Sequence, residues 1–452
     1  MKLKKFGKAL LTGVLSAGVV FGVSSCVQSY TVGFLYVTGT VTAQPNGNGI
    51  ISGYKIDHNT GELYPINTLP VTSGGANPVR AVLVDGSRFL YVLNRGLNAA
   101  GNGDCYGTGV NQCLNSSITQ FAVGGSGSLT FQATFYTQGL NPFRLIADTS
   151  GSYLLVLDHD APSSAACQAA LGTGVTACGD VTVFQINSTT GRLSLVQNAA
   201  VSAAGTPLSY FPIPANPVDF VMSSSYLLTL TSNTAATGFP YTSGTSVFPY
   251  SYASTSGQLT LSQNSAQPLG ITQGTAIVNA SSNIYVLDNE GTTYVNSNGQ
   301  TATTYSQILP FTVGANGALQ AQTGGVVPDA SGLSNPIQLL VESKGKFLYV
   351  ANQGENVIGP NPQSGIAGYF ITTSPAFQLT FIAGEPFGSG SGPQCIVEDP
   401  SDQFIYTANM YDSSVTGRIL DPNAGVLNDL RVSSSYPLQG PATWCLIDGR
   451  TS

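Results

Sequence analysis

Two arginines stand at matching places in this chain. Arg80 and Arg144 each lie two residues beyond a proline, Pro78 and Pro142, and Asp219 and Gln338 take the same place after Pro217 and Pro336. A guanidinium presents a planar fork of N–H donors, and two of them side by side suit a carboxylate or a phosphate. One of only two histidines, His159, sits in Asp158-His159-Asp160. His159 or Asp219 is then a candidate general base for activating water, with Arg80 and Arg144 holding an acid group and Gln338, Asn94 and Asn352 adding polar contacts. The same residues also admit a structural reading, in which Arg80, Arg144 and Asp219 line a channel as an ion network without a substrate.

Either reading requires elements that bring distant positions together, and the chain repeats. An apolar run, clearest as Phe-Leu-Tyr-Val, starts at Phe34, Phe89, Tyr153, Tyr226, Ile284, Phe347 and Phe404. Each is followed by a tight turn ending in Leu, such as Asp57-His58-Asn59-Thr60-Gly61-Glu62-Leu63 and Asp421 to Leu427. Two phrases in register at about sixty residues, made of strands, predict an all-β chain folded as a seven-bladed β-propeller. Innermost strands open on Pro78, Pro142, Pro217, Pro336 and Pro393, where proline forfeits no ladder donor. The first repeat lacks such a strand, whereas Gly440 to Gly449 resembles Asn77 to Gly86. The C-terminal strand is therefore expected to complete blade one and close the ring. In that ring, the starts of the innermost strands and the loops after the second strands share one rim. That rim gathers Arg80, Arg144, Asp219 and Gln338 with Asn94, Arg95, His159, Asn352 and Asn409.

Charged residues make up only 8% of the chain, an exported β-protein profile. Lys2, Lys4, Lys5 and Lys8 precede an apolar stretch, Ala9 to Gly22, which reads as a signal peptide. It ends Val23-Ser24-Ser25-Cys26, which resembles the lipobox of bacterial lipoproteins and implies lipidation at Cys26; an ordinary signal peptide is the alternative. The expected layout is residues 1–25 as leader, 26–33 as lipidated linker and 34–449 as propeller, on an outer-membrane or cell-surface lipoprotein, with the periplasm as alternative. Removing the four leader lysines leaves 11 basic against 22 acidic residues, a net charge of −11. Nucleic acid is a poor partner for so acidic a chain.

Six further cysteines are an even number for an oxidising compartment. Cys105 with Cys113 and Cys167 with Cys178 share loops, so local pairing is simplest. Cys395 and Cys445 fall in neighbouring blades, where a bond would fasten the closure, and two buried free thiols are the alternative. No CxxC occurs and the histidines are two, so no zinc site is expected. The oxygen-rich turn at Asp57 recurs in every blade, which favours a hairpin connection over calcium. No cofactor is expected, since one tryptophan, Trp444, cannot supply the stacked docking of a quinone.

Through Phe89-Leu90-Tyr91-Val92-Leu93-Asn94 and Phe347-Leu348-Tyr349-Val350-Ala351-Asn352, the chain resembles the seven-bladed lactonase family, which includes 6-phosphogluconolactonase-like enzymes. Tyr36-Val37-Thr38-Gly39 is similar to the YVTN repeats of surface propellers. The resemblance spans roughly residues 34 to 449 and implies hydrolysis of a lactone or sugar-acid lactone. Members commonly carry His beside Arg and Glu near the channel, and here no innermost strand contains a histidine. A non-catalytic binding or scaffolding propeller of the cell envelope is the rival. The long loops 95–116 and 159–179 fit a lid, or a dock for an envelope protein or glycan.

Overall fold

The computed structural model describes residues 30–449, apart from 42–47, 85, 87, 104, 204, 234–243, 263–265, 281–282, 292, 296–298, 323, 331, 355–363 and 374–375. The leader, Cys26, and turn residues Asp85, Ser87 and Ser374 lie outside the described residues.

Seven antiparallel sheets form the ring. Blades two to seven each begin with an innermost strand: Pro78–Val84, Leu140–Ala147, Pro217–Ser223, Gly274–Ala280, Pro336–Val341 and Pro393–Glu398. Blade one takes its innermost strand from the tail, Ala442–Asp448, which pairs antiparallel with Thr31–Gly39. Innermost strands contact one another all the way round the ring, so closure occurs as the sequence predicts. Blade five's second strand begins at Asn283, one residue before the expected Ile284. The 159–179 loop contains the one α-helix among the described residues, Ser164–Leu171. Its N-cap is Ser163, whose hydroxyl accepts from the Ala166 amide at 3.3 Å.

Second strands are apolar throughout because both of their faces are covered. Phe34 and Tyr36 point into a cluster shared with blade two, while Leu35 and Val37 point into one shared with blade seven. One such cluster fills every interface between neighbouring blades. The two repeated phrases also meet. Tyr36, Tyr349 and Tyr406 donate from their hydroxyls to the carbonyls of Gly127, Gly425 and Gly61, each in the next blade's turn, at 2.9, 2.7 and 2.6 Å. Tyr91 does the same to Gly191. The phenylalanine that opens each phrase lies against that same glycine. Gly61 and Gly425 have φ of +71° and +69°, and an added methyl would meet the rings of Phe404 and Phe347. Glycine is thus required twice over, by backbone conformation and by space.

A graded outcome follows for urea unfolding. Tyr406→Phe orphans one buried carbonyl and should cost about 1–3 kcal/mol. Gly61→Ala adds a disfavoured backbone and an overlap with Phe404, and should cost more than Tyr406→Phe. The reverse order would contradict this packing.

Candidate functional site

The ladder slips where the innermost strands begin, at a proline in most blades and at Gly274/Ala276 in blade five. Register shifts fall at Pro78/Arg80, Pro217/Asp219, Pro336/Gln338 and Pro393/Cys395. The preceding Asn77, Asn141, Asn216 and Asn335 all have φ between +51° and +60°, a region that Asn tolerates. Side chains just beyond the slip reach the neighbouring blade.

Around the ring they form a series of links. Cys395 is bonded to Cys445, joining blade seven to blade one. Arg80 lies 4.0 Å over the Trp444 ring, joining two to one. Arg144 Nε meets Asp219 Oδ1 at 3.2 Å, joining three to four. Asp219 Oδ2 accepts from the Ile277 amide at 3.1 Å, joining four to five. Thr275 donates to the Pro336 carbonyl, joining five to six. Gln338 Oε1 accepts from the Ile396 amide at 2.9 Å, joining six to seven. The junction of blades two and three differs, because there Arg80 faces Arg144, two like charges. Burial first, and the Arg144 charge second, pull the Arg80 guanidinium well below its usual pKa, with Asp219 opposing.

A pocket of about 430 Å³ opens at this junction, lined by Arg80, Arg95 and Arg144 with Phe143, Gln394 and Met410. Arg95 Nη2 donates to the Cys105 carbonyl at 2.7 Å, so the Cys105–Cys113 loop holds it in place. Arg95 and Arg144 stand 5.8 and 5.1 Å from the Phe143 ring centre. Three guanidiniums thus border one concavity, a chemistry suited to a carboxylate or a phosphate. Three larger depressions, of about 600, 530 and 500 Å³, lie on the outer side of blade one, beside blade two, and between blades five and six.

Residues 48–209 match the lactonase, seven-bladed β-propeller family. Solved structures share the whole ring. A candidate 6-phosphogluconolactonase of Bacteroides fragilis is 14% identical with a TM-score of 0.61, covering 92% of this chain and 98% of its own. One from Bacteroides uniformis is also 14% identical, with a TM-score of 0.60 over 92% and 99%. The periplasmic gluconolactonase of Pseudomonas aeruginosa is 18% identical, with a TM-score of 0.58 over 92% and 99%. Comparison with curated proteins finds no match. The chain has the fold of a lactonase-type seven-bladed propeller.

Within this lactonase-type propeller, the residues singled out from sequence separate. Arg80 and Arg144 converge as expected, and Arg95 joins them. Asp219 adjoins through Arg144, yet both of its oxygens are engaged. Gln338 serves as an inter-blade link. Asn94 and Asn352 are fully buried rather than on the rim. Asn94 donates to the Ser73 carbonyl and the Thr119 hydroxyl and accepts from Ser73 Oγ, while Asn352 donates to the Val350 carbonyl. Neither presents a group to a ligand, because the second strand is covered to its end.

His159 is outside the pocket lining, its ring 6.1 Å from that of Phe143. Its Nδ1 meets Asp160 Oδ2 at 2.9 Å. Asp160 also accepts from the Gly107 amide and from Asn141, tying the 95–116 loop to blade three. Burial alone would raise the Asp160 pKa, but the His159 hydrogen bond and charge, with the Asn141 and Gly107 bonds, hold it below the usual range. Sequence reasoning missed Phe143, Met410 and the Arg80–Trp444 stack. An ungapped match of the tail to Asn77–Gly86 sets Thr443 opposite Arg80. The strand Ala442–Asp448 pairs in the same bulged register as Pro78–Val84, one residue further along the tail, which gives Trp444 that place.

Next to the dyad, Asp158 and Asp180 are cross-strand partners, both fully buried. Burial raises both carboxyls, Asp158 to about 7, and the Asp158 charge raises Asp180 further. The native pair therefore keeps a proton that the unfolded chain has already released, so stability falls as pH climbs from about 4 to about 7. Asp158→Asn, neutral throughout, should shrink that fall, and urea midpoints at pH 5 and pH 8 measure it. An unchanged slope would place the pH dependence elsewhere.

Proposed function

We propose that this chain is a lactonase-like propeller that takes the anionic group of a sugar acid or its lactone into the axial pocket. The convergence of Arg80, Arg95 and Arg144 on one concavity carries this reading. The ligand's carboxylate or phosphate lies among the guanidiniums, and the lactone carbonyl is directed toward His159. Asp160 orients the imidazole, which accepts a proton from water as its oxygen attacks that carbonyl. The ring C–O bond then breaks, and the leaving oxygen takes the proton back from the imidazolium, restoring neutral His159. Asp219 does not serve as the base in this scheme, because Arg144 and the Ile277 amide occupy its two oxygens.

The leader and Cys26 support export and lipid anchoring, and hence a substrate met in the cell envelope. A second reading, a propeller that binds without turnover, is favoured by one observation: no histidine or carboxylate lines the pocket itself among the described residues. Assaying the purified mature protein against aldonolactones with and without a phosphate separates the two. Ring opening that prefers phosphorylated lactones and collapses in His159→Asn supports hydrolysis. Binding of the acid with no opening of any lactone establishes the second reading.

A further inference from the structure

We infer that the depression beside blade two is a second ligand site, for a neutral oligosaccharide. It holds about 530 Å³, within the roughly 300–1,000 Å³ range of small-molecule sites. It is lined by Gly74 and Gly75 of blade one, by Tyr136 at the end of blade two, and by a wall of the 95–116 loop that includes Leu114 and Asn115. The chemistry is the reverse of the axial pocket. No charged side chain lines it among the described residues, which argues against sugar acids, phosphates and amines. What it offers is an aromatic face with amide and hydroxyl groups. A pyranose matches that set, with an apolar C–H face for the tyrosine ring and a hydroxyl edge for the amides.

Two further observations point the same way. Of the eleven large apolar side chains exposed among the described residues, Tyr106, Val110, Leu114, Phe131 and Tyr136 belong to blade two and its loop. Exposed apolar side chains are thus frequent on this blade, and two of them, Leu114 and Tyr136, line the depression. The loop wall is also set in advance. Leu97 bridges to Leu114, Asn98 Oδ1 accepts from the Ala100 and Asn102 amides, and Cys105 is bonded to Cys113. A wall already ordered loses little freedom when a ligand binds.

Calorimetric titration of the mature protein with cellohexaose, maltohexaose, laminarihexaose and xylohexaose tests the site. At least one should bind, at least tenfold more weakly in Tyr136→Ala and nearly unchanged in Tyr136→Phe. Asn115→Ala should weaken the same ligand. The axial variant Arg80→Ala/Arg144→Ala should bind it normally, so this result stands apart from the fate of the lactone reading. No binding by any of the four, or binding indifferent to Tyr136→Ala, overturns the inference. So does preference for polygalacturonate over all four neutral chains.

Discussion

A chain ending at residue 440 is expected to lose cooperative unfolding altogether. Without Ala442–Asp448, blade one has no innermost strand, and one edge of Thr31–Gly39 stands open. Two of the seven apolar clusters lose members at once, because Ala442 and Cys445 belong to the blade seven–one cluster while Trp444 and Leu446 pack on the blade one–two cluster. The Arg80 stacking partner goes too. A closed ring offers no fallback, since each blade is held only by its two neighbours. The milder change Cys395→Ser/Cys445→Ser keeps the strand and removes the bond, and should cost about 2–4 kcal/mol while leaving one sharp transition. Thermal melts followed by circular dichroism distinguish the two variants. A truncated chain that still melts sharply near the wild-type temperature would show that the tail does not close the ring.

The second large effect is functional. Arg80→Ala/Arg144→Ala should weaken binding of an anionic ligand on the order of a hundredfold or more, since hydrogen bonds to charged groups contribute about 1.5–3 kcal/mol each. The single variants should differ in a telling way. Arg144→Ala leaves Asp219 without its cation, though still accepting from Ile277, so it should lower stability along with affinity. Arg80→Ala relieves the repulsion between two facing like charges but gives up the Trp444 stack, so it should weaken binding with a smaller loss of stability than Arg144→Ala. Such a trade is the signature of charges gathered for a ligand rather than for the fold. Equal loss of stability in both variants, with unaltered ligand binding, would return the site to the structural ion network.

The fold was legible because its determinants are local and repeated. Each Phe-Leu-Tyr-Val phrase and each glycine turn is one half of a contact made between blades, so the same residues recur wherever that contact is made. The proline starts were legible for a similar reason, and they placed Arg80 and Arg144 correctly. The rest of the site was not. Arg95 was placed on the rim, but the Cys105 carbonyl that seats it lies in a disulfide-bonded loop whose fold no local pattern specifies, and Phe143, like Val79, was read only as an apolar strand residue. Asn94 and Asn352 look like rim residues in sequence, and only their burial reveals an interior role. Trp444 was hidden because matching Gly440 to Asn77 is one residue out, whereas Ala442–Asp448 set on Pro78–Val84 places it on Arg80. The helix at Ser164–Leu171 was masked by small residues whose pattern is weak over so short a span.

The most direct test of the axial site is calorimetric titration of the mature protein with 6-phosphogluconate at low and moderate salt. One binding event per chain is expected, weakening as salt rises and absent in Arg80→Ala/Arg144→Ala. No heat at either salt, or an identical isotherm from the double variant, would contradict the assignment of the three arginines to a ligand.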